Sequence, residues 1–397
     1  MGERLSPRLR AKRIAARLAR EGRGLLGPAR TVYVDRRVDE YRGYWEAAAR
    51  LIGADFGELA PGLWEARLDG RRTRIANYVV EADDPVTLRV AGDKALCLGL
   101  AEGAGVPVPE HRVFRLASVR EARAHVERAG GLWVVKPARG SSSGLGVTTG
   151  VRTARQVEDA AVLASLFCPD ILLERMVPGE SCRLLYLDGE LVHAVRRRGA
   201  RVTGDGASTI RTLAGRAGLA RVLADPASDA ALTAQGLSAD AVPAAGREVV
   251  VRGIPAVAGS ARELRTVYDE TITSLVHPAL ARSLADVVRR LGSRFAGVDV
   301  VTLDPGRSLE ESGGALIEIN TTPGIHHHYH TDDERRTHPV AVRVLRRLLD
   351  ADDLPPPSHA VTPEASGYAL RTSHLALRTA VQRPCPPRRK DAGHALP

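Results

Sequence analysis

The chain has 397 residues, 44% of them hydrophobic and 26% charged, with a formal net charge of +10 at pH 7. At roughly 100–200 residues per domain this suggests two or three domains with a core of useful size, and it excludes a wholly disordered chain. No stretch reaches the ~18–20 apolar residues of a membrane span, no apolar h-region follows the charged N-terminus, and Cys97, Cys168, Cys182 and Cys385 form no CxxC pair; the expectation is a reduced, cytoplasmic protein.

In chain order, residues 1–30 come first, with nine Lys/Arg against two Asp/Glu. Arg8 to Arg23, with Leu9, Ile14 and Leu18, read as a basic amphipathic helix. Its functional reading is contact with an anionic lipid, nucleic acid or partner; its plain reading is a loose, solvated extension. Most of the net charge sits in this end, so nucleic acid is not the expected partner of the folded body. Residues 31–92, with Trp45, Trp64 and a helical run around Tyr44–Leu51, suggest a small α/β domain. Residues 93–190 and 191–350 follow as two further units. Lys94 falls in the first turn of a helix near 92–105, and the proline-bearing stretch after it is extended. Ser118 to Glu121 and Thr153 to Gln156 read as capping boxes, the first opening a helix that ends at Gly130-Gly131. Leu132 to Val135 form a short strand closed by Lys136. Asp188-Gly189 marks a hairpin between Arg183–Leu187 and Glu190–Arg196. Strands are expected at Glu248–Val251, Val298–Leu303 and Leu316–Ile319, and a helix at 279–292. Residues 351–397 are Pro-rich and expected to be disordered, with Tyr368–Val381 a helix candidate.

Only four of the 57 basic side chains are lysine: Lys12, Lys94, Lys136 and Lys390. Lys94 and Lys136 are the two in the expected folded body. Lysine is a compact point charge, and arginine does not replace it at a tight phosphate site. Lys136 leads into Gly140-Ser141-Ser142-Ser143-Gly144-Leu145-Gly146, where glycines let backbone N–H groups approach phosphate oxygens and serines add donors. It matches neither a Walker A loop nor a dinucleotide fingerprint. Glu174 ends an apolar strand before Met176, Val177 and Glu180, an arrangement suited to an adenine amine, its apolar cover and a ribose diol. The strongest signal is Asp299 with Glu318 and Asn320. The last two are i and i+2 on one strand and project together, leaving Ile317 and Ile319 to pack on the other side. Two carboxylates and an amide oxygen form a hard oxygen set suited to Mg²⁺ shared with nucleotide phosphates. The run His326 to His330 follows Pro323-Gly324; it reads as substrate-lining, with a solvated loop or structural zinc as alternatives.

These motifs, in this order, resemble the ATP-grasp fold: two α+β subdomains gripping ATP, here preceded by the small α/β domain. More closely, they resemble the ATP-grasp portion of cyanophycin synthetase, with weaker similarity to glutathione synthetase and D-alanine–D-alanine ligase. The specific stretches are Arg196-Arg197 with Val202 to Ile210, Gln235 to Ser238 through Pro243, and the Asp299–Asn320 motif. The resemblance implies that Lys94 and Lys136 contact the α- and β-phosphates, that Gly140–Gly146 is a lid loop, and that Glu174 takes the adenine amine with Met176 and Val177 along the hinge. Glu180 would be a ribose ligand, although the family carries an acid where Ser181 stands. Arg183 and Arg196 or Arg197 would face the γ-phosphate or acyl phosphate. Asp299, Glu318 and Asn320 would hold two Mg²⁺, with Mn²⁺ as the alternative ion. Arg252 to Arg262 replaces the family's substrate-holding glycine-rich loop, so the acceptor is not expected to be the family's own. With no counterpart of the Mur-ligase-like half, a single ligation rather than alternating polymerisation is expected.

The activity implied is ATP-dependent carboxylate–amine ligation through an acyl phosphate, on small-molecule or peptide substrates. The alternatives are an ATP-grasp phosphotransferase and a non-catalytic nucleotide-binding partner protein. The sequence leaves a homo-oligomer open.

Overall fold

The computed structural model describes residues 5–26, 30–140, 144–197, 199–253, 269–331 and 340–350. Ser141, Ser142 and Ser143, most of the loop from Arg252 to Arg262, and the tail with its helix candidate at Tyr368–Val381 lie outside the described residues.

The chain opens with α1 (Pro7–Leu26) and α2 (Arg30–Ile52), then β1 (Asp55–Ala60), β2 (Leu63–Leu68), β3 (Arg71–Ala76) and β4 (Val79–Val80). Next come α3 (Pro85–Ala91), α4 (Lys94–Glu102), β5 (His111–Arg115), α5 (Val119–Ala129), β6 (Trp133–Pro137), β7 (Thr148–Val151), α6 (Ala154–Ala164) and β8 (Asp170–Arg175). The hairpin β9 (Glu180–Leu187) and β10 (Glu190–Arg197) leads into β11 (Ala200–Thr203), α7 (Ile210–Arg216), α8 (Ala220–Leu223), α9 (Pro226–Ala234) and β12 (Glu248–Arg252). The remainder is β13 (Glu270–Thr271), α10 (Pro278–Leu291), β14 (Phe295–Thr302), α11 (Leu309–Ser312), β15 (Ala315–Thr321) and α12 (Val340–Leu348).

Three larger sheets organise these elements. The first is the meander β1-β2-β3-β4, the second has the order β5-β8-β6-β7, and the central one has the order β13-β10-β9-β14-β15. Strands β11 and β12 pair separately, and with α7 to α9 they bury a small core of their own around Ile210, Leu232 and Val249.

The central sheet positions the site, and its register shows how. Leu184, Ala194, Val298, Val300 and Leu316 project to one face and pack with α4 and α10 residues such as Leu98, Leu284 and Val288. On the opposite face, Leu185, Leu187 and Phe295 pack with Trp45 and Trp64 of the N-terminal elements and Val344 and Leu345 of α12. Further along that face, Arg183 lies opposite Asp299, and Asp299 opposite Glu318. One face is therefore apolar at one end and charged at the other. The register shifts between Asp299 and Val300, which pair with Glu318 and Leu316. This bulge leaves Ile317 at the shift and only half-buried, so of the two isoleucines expected behind the carboxylates it is Ile319 that joins the core.

Local chemistry explains the boundaries. Asp188 and Gly189 both take positive φ, as a tight two-residue hairpin requires. Thr153 Oγ1 accepts from the Gln156 N–H at 3.3 Å while Gln156 Oε1 accepts from the Thr153 N–H at 3.2 Å, the reciprocal box expected. Ser118 departs from expectation. Its hydroxyl turns back to donate to the Arg115 carbonyl at 3.2 Å and closes a 3-10 turn over Leu116–Ser118, so it makes no cap bond to α5.

The N-terminal extension also departs from the loose end expected around Lys12. Leu5, Leu9 and Ala16 pack on the core beneath α5 and α6. Lys12 Nζ pairs with Glu158 and, at 3.0 Å, with Asp159. Glu158 is only 5% exposed and also accepts from Arg123 at 3.0 Å. A carboxylate that deep needs counter-charge, and α1 supplies part of it.

Gly179, in the turn between β8 and β9, has φ +129°, and an added Cβ would lie 2.4 Å from the Thr302 carbonyl. Gly179→Ala should therefore lose about 1–3 kcal/mol from backbone strain alone, read as a lower urea midpoint at unchanged slope; an unaltered midpoint contradicts the packing at this turn.

Candidate active site

Lys94 is presented by the start of α4. Asp93 caps that helix, its Oδ1 accepting from the Leu96 N–H at 3.1 Å, and its Oδ2 holds Arg139 at 3.0 Å. The Lys94 N–H donates to the Ala138 carbonyl at 3.0 Å. The strand ending in Lys136 is thus stitched to the helix start that carries Lys94, so the two lysines far apart in sequence are brought to neighbouring elements.

Both lysines are buried and both face acids. Lys136 Nζ lies 2.7 Å from Glu174 Oε1, with side chains 5% and 3% exposed. Lys94 Nζ lies 2.9 Å from Glu318 Oε1. Burial pushes the Glu174 carboxyl above its ordinary range; Lys136 pulls it back only in part, and the charge of Glu318 adds to the rise. Among the described residues Glu174 Oε2 is buried without a hydrogen-bond partner.

Asp299 forms a bidentate pair with Arg183, at 2.7 Å to Nε and 2.6 Å to Nη2. Asn320 Nδ2 donates to Asp299 Oδ2 at 3.0 Å. Burial pushes the Asp299 carboxyl up, but Arg183, Arg197 and Asn320 outweigh it and hold it below the usual carboxylate range. The structure therefore brings Asp299, Glu318 and Asn320 together with Lys94 and Arg183.

The two neighbouring arginines of β10 separate. Val195 lies opposite Arg183 and Arg196 opposite Cys182, so Arg197 shares the Asp299 face and Arg196 points to the other. Arg196 is bidentate on Glu270 at 2.9 and 2.8 Å and reaches Glu180 at 3.4 Å. Glu180 also receives Arg201. Arg252 is buried at 3% and donates to the Gly253 carbonyl at 3.1 Å, with Asp225 at 3.5 Å. It lies on β12, in the β11–β12 layer. Met176 is half in solvent after β8, and Gly140, Gly144 and Gly146 all take positive φ. Gly146 is the constrained one, since a Cβ there would lie 2.7 Å from Phe167.

The histidine run is not a solvated loop. His326 Nδ1 meets the Tyr41 hydroxyl at 2.6 Å, His327 Nδ1 meets Asp269 at 3.2 Å, His328 Nδ1 meets His193 Nδ1 at 2.9 Å, and His330 pairs with Glu40. The run thus ties α2, β10 and residue 269 to the end of β15. Among the described residues no three His, Cys, Asp or Glu side chains converge as a metal cluster, so the zinc alternative gains no support. His193 is a partner of this run that the sequence reading did not single out; its signal was a histidine inside the apolar run Leu191–Val195.

Burial holds the His328 imidazole well below its ordinary value of 6.5, and the charges around it add to this. A histidine whose folded pKa is depressed contributes stability that is present above 6.5 and lost as pH falls below it. Thermal stability should therefore fall more steeply from pH 7 to pH 5 in the wild type than in His328→Gln; parallel curves would contradict the assignment.

The oxygen donors Asp299, Glu318 and Asn320 fit a hard divalent cation that takes its other ligands from water and phosphate. The unpartnered Glu174 Oε2 fits an amine donor.

The fold is that of the ATP-grasp proteins. A bifunctional glutathione synthetase from Pasteurella multocida superposes with a TM-score of 0.50 at 18% identity, covering 77% of this chain and 44% of that one. In sequence the chain is similar to cyanophycin synthetases, glutathione biosynthesis proteins and a D-alanine–D-alanine ligase. It is 30% identical over 255 residues to cyanophycin synthetase of Trichormus variabilis, covering 61% of this chain and 27% of that protein. It is 35% identical over 107 residues to D-alanine–D-alanine ligase of Gloeobacter violaceus, covering 27% of this chain and 35% of that one. The chain thus spans about a quarter to a third of the curated relatives it matches. No family model matches. Among the described residues no helix is long and apolar enough to cross a membrane.

Proposed function

We propose that this chain is an ATP-dependent carboxylate–amine ligase that activates a carboxylate as an acyl phosphate and passes it to an amine, releasing ADP and phosphate. The carrying observation is that Lys94 and Arg183 pair with Glu318 and Asp299 on the strand pair that also bears Asn320, while the start of α4 is tied to the strand whose Lys136 pairs with Glu174. In this reading Glu174 accepts from the adenine amine, with Met176 and Val177 along the ring and Glu180 toward the ribose. Lys94 and Lys136 hold the α- and β-phosphates, and Gly140–Gly146 covers them. Asp299, Glu318 and Asn320 hold two Mg²⁺, which when bound supply charge stabilisation at the transferring phosphoryl group. Arg183 and Arg197 share the Asp299 face and neutralise charge that develops as the substrate carboxylate attacks the γ-phosphorus. Closing the glycine-rich loop keeps water from the acyl phosphate until the amine arrives. The substrates are small-molecule or peptide carboxylates and amines.

Incubation with Mg-ATP, pooled amino acids and small peptides, and hydroxylamine tests the reading. Hydroxamate and ADP together support it. ADP without hydroxamate favours phosphotransfer or idle hydrolysis, and a phosphorylated product identifies the former. Neither product counts against ligation of the pooled substrates.

A further inference from the structure

Helix α1 has no part in the nucleotide reading, and it is two-faced. Leu9, Lys12 and Ala16, with Leu5 just ahead of the helix, recur at i, i+4, i+7 and i+11. They are half-buried, and the three apolar ones rest on the core beneath α5 and α6. Polar contacts hold the helix there: Arg8 and Lys12 reach Glu158, Lys12 also reaches Asp159 at 3.0 Å, and Arg13 Nη2 donates to the Ser165 carbonyl at 3.2 Å. Half a turn away, Ala11, Ile14 and Leu18 recur at i, i+3 and i+7 and face solvent, with Ile14 and Leu18 61% and 62% exposed. Arg10, Arg13 and Arg17 follow the same spacing along one flank of that stripe and are exposed as well. The helix carries seven basic residues against one acid, Glu21.

We propose that the outer face of α1 docks the protein on an anionic lipid surface. A helix lying at the bilayer–water boundary needs an apolar stripe to enter the acyl edge and a cationic flank to meet headgroup phosphates. The stripe is Ala11, Ile14 and Leu18, and the flank is Arg10, Arg13 and Arg17. Arginine stems lie along the acyl edge while their guanidiniums stay at the phosphates. The helix is too polar to cross a bilayer, so the contact is peripheral. A second copy of this face would set arginines against arginines. Nucleic acid would engage the arginines and leave Ile14 and Leu18 in water. Two long aliphatics are a small area for a stable protein–protein interface, whereas an anionic bilayer attracts every basic residue brought near it. The inner face, tied to Glu158, keeps the helix folded and oriented beforehand, so no ordering cost is added on docking. The inference is independent of the ligase reading.

Co-sedimentation of the full chain with vesicles tests it, using phosphatidylglycerol and phosphatidylcholine in equal parts against phosphatidylcholine alone. The wild type should bind the mixed vesicles, bind the neutral ones far less, and release as salt is raised. Ile14→Glu/Leu18→Glu should weaken binding to the mixed vesicles by roughly tenfold or more, and Arg10→Gln/Arg17→Gln by roughly tenfold. All four side chains are exposed, so the thermal midpoints should match wild type; Ile14→Ser/Leu18→Ser repeats the first arm should the glutamate pair unfold α1. Wild type that fails to bind the mixed vesicles overturns the proposal. So does binding that both apolar double variants retain in full, because charge alone would then explain it. A DNA duplex or a poly-glutamate peptide bound as tightly as the vesicles, or a dimer in sedimentation velocity that Ile14→Glu/Leu18→Glu dissociates, would give the face to another occupant and equally overturn it.

Discussion

Glu318→Ala is expected to abolish Mg-ATP-dependent turnover while leaving the fold intact. Glu318 stands at the strand position opposite Asp299, and its side chain is 29% exposed, so its loss opens little core. A bound divalent cation contributes several kcal/mol to charge stabilisation in phosphoryl transfer. Each ~1.4 kcal/mol is tenfold in rate, so removing one carboxylate of the set should cost on the order of 10³-fold or more. ADP release and hydroxamate formation are the measurements, with circular dichroism as the control for folding. Turnover that persists at wild-type level would remove Glu318 from the metal site.

The second large effect concerns stability. Lys136→Met should destabilise the protein by about 3–5 kcal/mol, because it leaves Glu174 buried without its counter-charge. The double variant Lys136→Met/Glu174→Gln should recover most of that loss, since removing both charges removes the uncompensated one. The penalty also has a pH sign. The Glu174 carboxyl titrates above its unfolded value, so the folded state holds the proton more tightly. Stability therefore falls as pH rises from the unfolded value of about 4.5 toward the raised folded one. Without Lys136 the folded value rises further, so the single variant should lose more at pH 8 than at pH 5. Urea unfolding at both pH values measures this; an equal loss, or no recovery in the double variant, would show that the pair is not coupled as drawn.

Where a local rule settles the outcome, the sequence was legible. Asp188-Gly189 forms its hairpin, Thr153 and Gln156 cap each other, and α10 stops at Gly292 in the left-handed conformation. The common face of Glu318 and Asn320 was readable for the same reason, since i and i+2 on one strand share a face whatever surrounds them. What was not legible depends on tertiary partners. Nothing in the run after Met1 announces that Lys12 answers a carboxylate 146 residues away. Ser118 carries the letters of a capping box, but its hydroxyl finds the Arg115 carbonyl nearer. The histidines read as a cluster because they adjoin in sequence, whereas each bonds a different element. The choice between Arg196 and Arg197 needed the register of β9 and β10, which the sequence does not supply. The pairing of Lys94 with Glu318 and of Arg183 with Asp299 is likewise a product of folding, invisible in motifs read one by one.

The apolar end of the central sheet has a practical consequence for dissecting this protein. Leu185, Leu187 and Phe295 share one core with Tyr41, Trp45, Trp64 and Ile75 on one side of the chain and with Val340, Val344 and Leu345 on the other. The core residues at both ends therefore limit where the chain can be cut. An expression fragment that omits residues 41–75 or 340–349 would present to water the faces these flanking helices and strands keep dry, a recipe for inclusion bodies. Fragment boundaries drawn before Leu5 and after Leu349 keep both the packing of α1 on its core and the wetting of the central sheet.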